Sequence, residues 1–172
     1  SIEEMGLARE YADKVIADAS ANADNRAKAY LWRARMKMKE EEFASALVDY
    51  TEVAKRGGEG AAEAAFQNAF VEYKLNELDK AEKSIFKLIE KYSSFEKWKF
   101  EAILLLSDVY VAKPDYYQAR KTLDAVISKA KNPEILARAE QKKRDLEELE
   151  NPKPRAVEIP IDNTDENIQN DE

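Results

Sequence analysis

The feature that most constrains this chain is an internal repeat. Leu31, Ala34, Phe43, Ala46, Tyr50 and Val53 recur 35 residues on as Phe66, Ala69, Leu78, Ala81, Ile85 and Leu88. A further shift of 38 residues gives Leu104, Ser107, Tyr116, Ala119, Leu123 and Val126. The size classes match in order: large, small, large, small, large, large. Within each copy, apolar residues fall three and four apart on both sides of a short polar break, the spacing of two amphipathic helices joined by a turn. Such a hairpin cannot bury its apolar face alone and must stack on its neighbours. The spacing therefore predicts an all-α solenoid of antiparallel helical hairpins.

The hairpins are predicted over about residues 27–56, 61–92 and 96–129, within one repeat domain covering 1–150. Their individual helices fall at about 26–39, 42–56, 61–74, 78–92, 96–111 and 116–129. Met5, Ala8, Tyr11, Ala12, Val15, Ile16 and Ala19 form one stripe on an orphan helix before them. That helix either packs on the first hairpin or is the second half of a further one. A last helix over 132–150 carries Ile135, Leu136, Ala139, Leu146 and Leu149 and caps the stack. Punctuation supports these limits. Lys55 and Arg56 before Gly57-Gly58 give a helix end, and Asn132-Pro133-Glu134 gives a helix start. Asn22–Asn25 and Pro114-Asp115 supply capping and turn chemistry. Ser93 and Glu96 have the spacing of a capping box.

Composition narrows the function classes. The 172 residues include no cysteine and no histidine, so there is no disulfide framework or thiolate, and the commonest general base and metal ligand are missing. Without a phosphate-cradling glycine loop or converging carboxylates, no catalytic constellation stands out, and no enzyme, cofactor or metal site is expected. Net charge is −7. Glu158, Asp162, Asp165, Glu166, Asp171 and Glu172 concentrate acid in a tail over 151–172, and the remainder is close to balance. No basic face of the kind nucleic acid requires is present. No apolar run approaches the roughly 18 residues of a membrane span, so direct membrane insertion is not expected. Glu40-Glu41-Glu42 reads as a solvated turn. Asp162, Thr164 and Glu166 lack the glycine and terminal Glu of a calcium loop.

A period of about 34 residues with two helices per unit resembles the tetratricopeptide repeat family. Ile103, Leu106, Ser107 and Tyr110, then Tyr116, Ala119, Leu123 and Val126, match its two helical patterns in the third unit. Tyr30, Ala34, Phe43, Ala46, Tyr50 and Val53 match in the first, and Ala69, Leu78, Ala81, Ile85 and Leu88 in the second. The likeness covers about residues 5–131. Two departures stand out: Arg33 and Asn68 where that family usually has Leu, and Lys37 and Glu72 where it has an aromatic. They predict a slight rotation of those first helices. More narrowly, residues 58–129, with Ala-Glu-Lys-Ser-Ile-Phe, Trp98 and Ile-Leu-Leu-Leu-Ser-Asp-Val-Tyr, resemble C-terminal repeats of large envelope-associated proteins of Bacteroidota. That implies a fragment of a longer superhelix and favours a bacterial envelope or periplasm over the cytoplasm.

The resemblance implies a right-handed superhelix that binds a protein or peptide in a concave groove lined by first helices. The implied groove residues are Lys28, Leu31, Arg35 and Met38, then Glu63, Phe66, Phe70 and Tyr73, then Glu101, Leu104, Asp108 and Val111. Glu63 and Glu101 would repel the C-terminal carboxylate that some relatives of that family clamp. Phe66, Phe70 and Tyr73 share one helix face. They form either an open apolar patch or, on a rotated helix, core. Trp32 and Trp98 are candidate anchors or inter-unit packing. The alternative function is a structural segment or cap that self-associates, with no dedicated groove. Val157–Ile161, alternating apolar and polar, is a candidate to lie in a groove of its own chain or a neighbour.

Overall fold

The computed structural model describes residues 2–151, with side chains from Gly6 onward. The acidic tail, with its Val157–Ile161 segment, and the side chain of Met5 lie outside the described residues. Among the described residues the chain is all-α. The helices are α1 Ile2–Ala17, α2 Ala23–Lys39, α3 Phe43–Ala54, α4 Gly58–Lys74, α5 Leu78–Lys91, α6 Glu96–Ala112, α7 Tyr116–Lys129 and α8 Pro133–Glu150.

Local chemistry sets most of these limits. Asn22 accepts from the Asn25 N–H at 2.8 Å to open α2, and Asp115 accepts from the Gln118 N–H at 3.1 Å to open α7. Asn132 caps α8 by accepting from the Glu134 and Ile135 N–H groups, with Pro133 at a first-turn position where its missing N–H costs nothing. The turn inside each hairpin uses the same backbone bond. Glu42 N–H donates to Lys37 O, Glu77 to Glu72 O, and Asp115 to Tyr110 O, each at 2.9 Å. These are the long-range bonds of a helix C-cap motif, and they fall at equivalent positions of the three units.

Three helix starts differ from expectation, and the first is α2, which begins at Ala23 where about 26 was expected. The Ser93–Glu96 capping box does not form: Phe95 takes the N-cap position without a side-chain cap. Its N–H donates to Tyr92 O at 3.0 Å and its ring lies 6.4 Å from that of Tyr92, so an aromatic contact, not a hydroxyl, fixes the turn. Helix α4 begins at Gly58, earlier than Ala61. Gly57 and Gly58 take φ +72° and +65°, which lets the chain reverse within the α3–α4 connection. A Cβ on Gly60 would meet Val53 Cγ1 at 2.8 Å, so a glycine permits the close approach of α3 and α4.

Packing follows the repeat. Ala34, Tyr50 and Ala64 form a cluster from α2, α3 and α4, with Leu31 and Met38 against it. A second cluster takes Ala69, Ile85, Leu88, Ala102, Leu105 and Val109 from α4, α5 and α6. A third takes Leu104, Ala119, Leu123, Val126, Ile135, Ala139 and Leu146 from α6, α7 and α8. Each cluster thus joins one hairpin to the first helix of the next unit. Helix α4 also touches α6, and α6 touches α8, while the odd-numbered helices make no comparable contact with one another. The small residues Ser107 and Ala119 are fully buried where α6 and α7 cross, and the Ser107 hydroxyl donates to Leu104 O at 2.6 Å.

The departures at Arg33 and Lys37 have a local cause. Asp49 on α3 is buried at 1% exposure. It accepts from Arg33 Nε and Nη2 at 2.8 and 2.6 Å and from Lys37 Nζ at 2.8 Å. Burial works to raise the Asp49 pKa, but the hydrogen bonds from Arg33 and Lys37 outweigh it and hold the carboxyl below its ordinary value. Arg33 also reaches Asp13 on α1 at 2.6 Å, tying the orphan helix to the first hairpin. The equivalent set in the third unit, Leu106, Tyr110 and Thr122, lacks charge. In the second, Asn68 donates to Glu72 Oε1 at 3.2 Å, and the other carboxylate oxygen is buried without a partner among the described residues.

Candidate functional site

The even-numbered helices carry every residue of the expected groove, and most of these residues are already engaged. Arg35 on α2 grips Glu63 on α4 through two hydrogen bonds of 2.7 and 2.6 Å. Glu63 is buried and also accepts from the Tyr50 hydroxyl at 3.3 Å. Burial, then the Glu63 charge, pushes the Tyr50 phenol well above its ordinary pKa. On the next first helices, Glu101 accepts from Arg138 at 2.6 and 3.0 Å, and Asp108 accepts from Lys142 at 2.5 Å. Of the expected groove charges, Arg35, Glu63, Glu101 and Asp108 are therefore links between successive even-numbered helices, whereas Lys28 is exposed.

The apolar members divide. Leu104 is buried at 1% in the third cluster and offers no surface. Leu31, Met38 and Val111 are half-buried against their clusters. Phe66, Phe70 and Tyr73 all pack against the second cluster and remain half-buried. Phe66 stacks with Phe70 at 6.4 Å and meets Trp98 of α6 at 5.5 Å. Lys74 Nζ stands 5.9 Å over the Phe70 ring. Burial, then the Asp108 charge, raises the Tyr73 phenol. The rings of this row are half-buried and pack between units. Trp98 is packing, at 7% exposure.

Trp32 belongs elsewhere. With Lys28, Asn25 and Ala29 of α2, and Leu7, Ala8, Tyr11, Ala12 and Val15 of α1, it lines an open, mainly apolar trough of about 770 Å³. Ala12 is buried, but Leu7, Tyr11 and Trp32 are 64%, 71% and 38% exposed. The α1 stripe is thus only partly covered by the first hairpin. The sequence marked Tyr11, Lys28 and Trp32 separately. No periodic signal placed them together, because the trough depends on how α1 sits on α2. Helix α8, at the other end of the stack, turns Glu134, Glu140, Arg144, Glu147 and Glu148 to solvent.

Among the described residues no helix is long and apolar enough to cross a membrane, and no group of three acidic, His or Cys side chains is placed to hold a metal ion. Fold and surface define an all-α chain of repeated helical hairpins. No protein-family profile, curated protein or solved structure matches it.

Proposed function

We propose that this chain is a tetratricopeptide-type right-handed superhelix and acts as a protein- or peptide-binding scaffold, with no catalytic role. The supporting observation is the asymmetry of the later units: α4 meets α6 and α6 meets α8, whereas neither the odd helices with one another nor α2 with α4 make comparable contact. A stack whose first helices crowd and whose second helices splay curves toward the first helices, which gives that row the concave side. On it, Phe70 and Tyr73 would supply apolar anchors, with Lys74 supplying charge for a segment of complementary sequence. The ion pairs from Arg35 to Glu63 and from Glu101 to Arg138 would fix the curvature of that surface.

A photo-crosslinking amino acid placed at Phe70 tests this reading in cells. Its counterpart at Phe86, on the opposite face of the hairpin and 49% exposed, is the control. The expected result is a discrete protein adduct from position 70 and none from 86. Equal adduct yields at both, or none at 70, would refute the concave-face reading.

A further inference from the structure

The joint between the first and second hairpins is built unlike the joints after it. By the repeat register, Gly60 of α4 stands where α6 has Trp98 and α8 has Ile135. Trp98 reaches back to Phe66 of α4, ring centroids 5.5 Å apart, and Ile135 packs with Phe100 and Leu104 of α6. Gly60 has no side chain to send back to α2. Among the described residues, α2 and α4 make no contact comparable with that of α4 and α6. The apolar cluster at this joint holds three buried residues, Ala34, Tyr50 and Ala64, against eight in each of the other two clusters.

What crosses from α2 to α4 is charge. Arg35 holds Glu63 through hydrogen bonds of 2.7 and 2.6 Å, and the side chains are 51% and 4% exposed. A carboxylate buried this far is stable there because Arg35 pairs with it. Without that partner, return to water becomes the favoured state of Glu63.

The other side of the joint has a pivot and room to move. Helices α3 and α4 are packed on each other, and Gly60 permits their close approach. Gly57 and Gly58, at φ +72° and +65°, form their connection. Between α3, α4 and the end of α5 lies a groove of about 290 Å³, with Leu47, Thr51, Ala61, Ala65, Asn68 and Tyr92 in its lining. In the register, α6 carries Lys99, Ile103 and Leu106 where α4 has Ala61, Ala65 and Asn68. The smaller side chains leave this space open.

We propose that the joint between the first two hairpins is a hinge, with the Arg35–Glu63 pair as the latch that holds it closed. On opening, the α2–α3 hairpin swings about the α3–α4 contact: α2 leaves α4, and α3 moves into the groove toward α5. The next joint stays rigid, because Phe66 and Trp98 interlock there. The hinge needs no bound partner and stands apart from the concave-face reading.

The chain has no cysteine, so Lys39→Cys, Lys74→Cys and Ala112→Cys place spin labels at the equivalent exposed ends of α2, α4 and α6. Double electron–electron resonance on the full chain then reads the hinge from the 39–74 pair and the rigid joint from the 74–112 pair. The parent should give narrow distributions for both. Arg35→Gln or Glu63→Gln should lengthen the 39–74 mean by roughly 4 Å, an interhelical spacing of about 10 Å swung through about 20°, and leave 74–112 unchanged. Arg35 is half-exposed, so its variant stands as the test even if Glu63→Gln loses helix by circular dichroism. Adding Ala65→Ile, the residue type of α6 at that position, fills the groove and should return the Arg35→Gln chain to the parent distance. Three results would overturn the proposal. One is a 39–74 distance that is the same in parent and variants. Another is an equal lengthening of 74–112, which is general loosening. The last is a 39–74 distance that Ala65→Ile does not restore.

Discussion

Asp49 offers the sharpest test of how this stack is held together, since its carboxylate is buried and three charged hydrogen bonds converge on it. Replacing it by alanine removes the only carboxylate on Lys37 among the described residues and leaves Arg33 with Asp13 alone. Breaking a buried pair by removing one partner costs ~3–5 kcal/mol. Here the side chains of Arg33 and Lys37 are 19% and 12% exposed and can lean toward solvent, and Arg33 keeps Asp13. The expected cost of Asp49→Ala is therefore at the lower end, about 3 kcal/mol. With a urea slope of ~2 kcal/mol per molar, the midpoint followed by far-UV circular dichroism should fall by roughly 1.5 M.

The third unit supplies the control for that experiment. The triple change Arg33→Leu, Lys37→Tyr, Asp49→Thr installs the uncharged set found at Leu106, Tyr110 and Thr122. It should lie within about 1 kcal/mol of the parent, because the desolvation cost of the ions is removed together with their attraction. The parent and triple variant should also part in acid. Folding holds Asp49 below its ordinary 3.8, so its contribution is intact above that pH and is lost as pH falls through the lower folded value. The triple variant lacks that contribution to lose. A cost below about 1 kcal/mol for Asp49→Ala, or a triple variant as unstable as the single one, would refute the reasoning.

Two further outcomes rest on the packing. Gly60→Ala should destabilise by about 1 kcal/mol, since the new methyl meets the stiff, buried Val53, whereas Gly6→Ala on α1 has open space and should gain up to ~1 kcal/mol in thermal unfolding. Burial, reinforced by nearby carboxylates, raises the phenols of Tyr50, Tyr73 and Tyr110 above their ordinary 10.0. The unfolded chain then releases these protons first, so stability should be level up to about that value and fall as pH rises past it. Spectrophotometric titration should show these three of the eight tyrosines ionising late, together with the loss of helix. Simple titration of all eight near their ordinary value would contradict this burial.

Much of the architecture was legible in the chain because repeated helical hairpins write their fold as a local pattern. Every hairpin repeats the same small and large residues at the same spacing, and each helix needs only its neighbours to bury its stripe. The turns were legible for the same reason, and Gly57-Gly58, Asn22 and Asn132 mark them by backbone chemistry alone. Residues such as Glu63, Glu101 and Asp108 could be assigned to a helix face but not to a state. A periodic position says which way a side chain leans, not whether the next unit brings an opposite charge to meet it. Arg35, Arg138 and Lys142 arrive from 28, 37 and 34 residues away, and no spacing rule within one helix announces them.

The sequence by itself therefore determined the class of fold, the number of hairpins and the positions of their crossings, since these rest on helix periodicity and on the size of residues at close contacts. Tertiary structure alone decided which of the first-helix residues are surface. It buried Leu104, drew Arg35, Glu63, Glu101 and Asp108 into links between units, left Phe70 and Tyr73 half-buried, and gathered Leu7, Tyr11, Lys28 and Trp32 into one trough. The physical reason is that exposure is a property of pairs of helices. It is fixed by the angle and register at which one unit meets the next, and a pattern read along a single helix does not contain that angle.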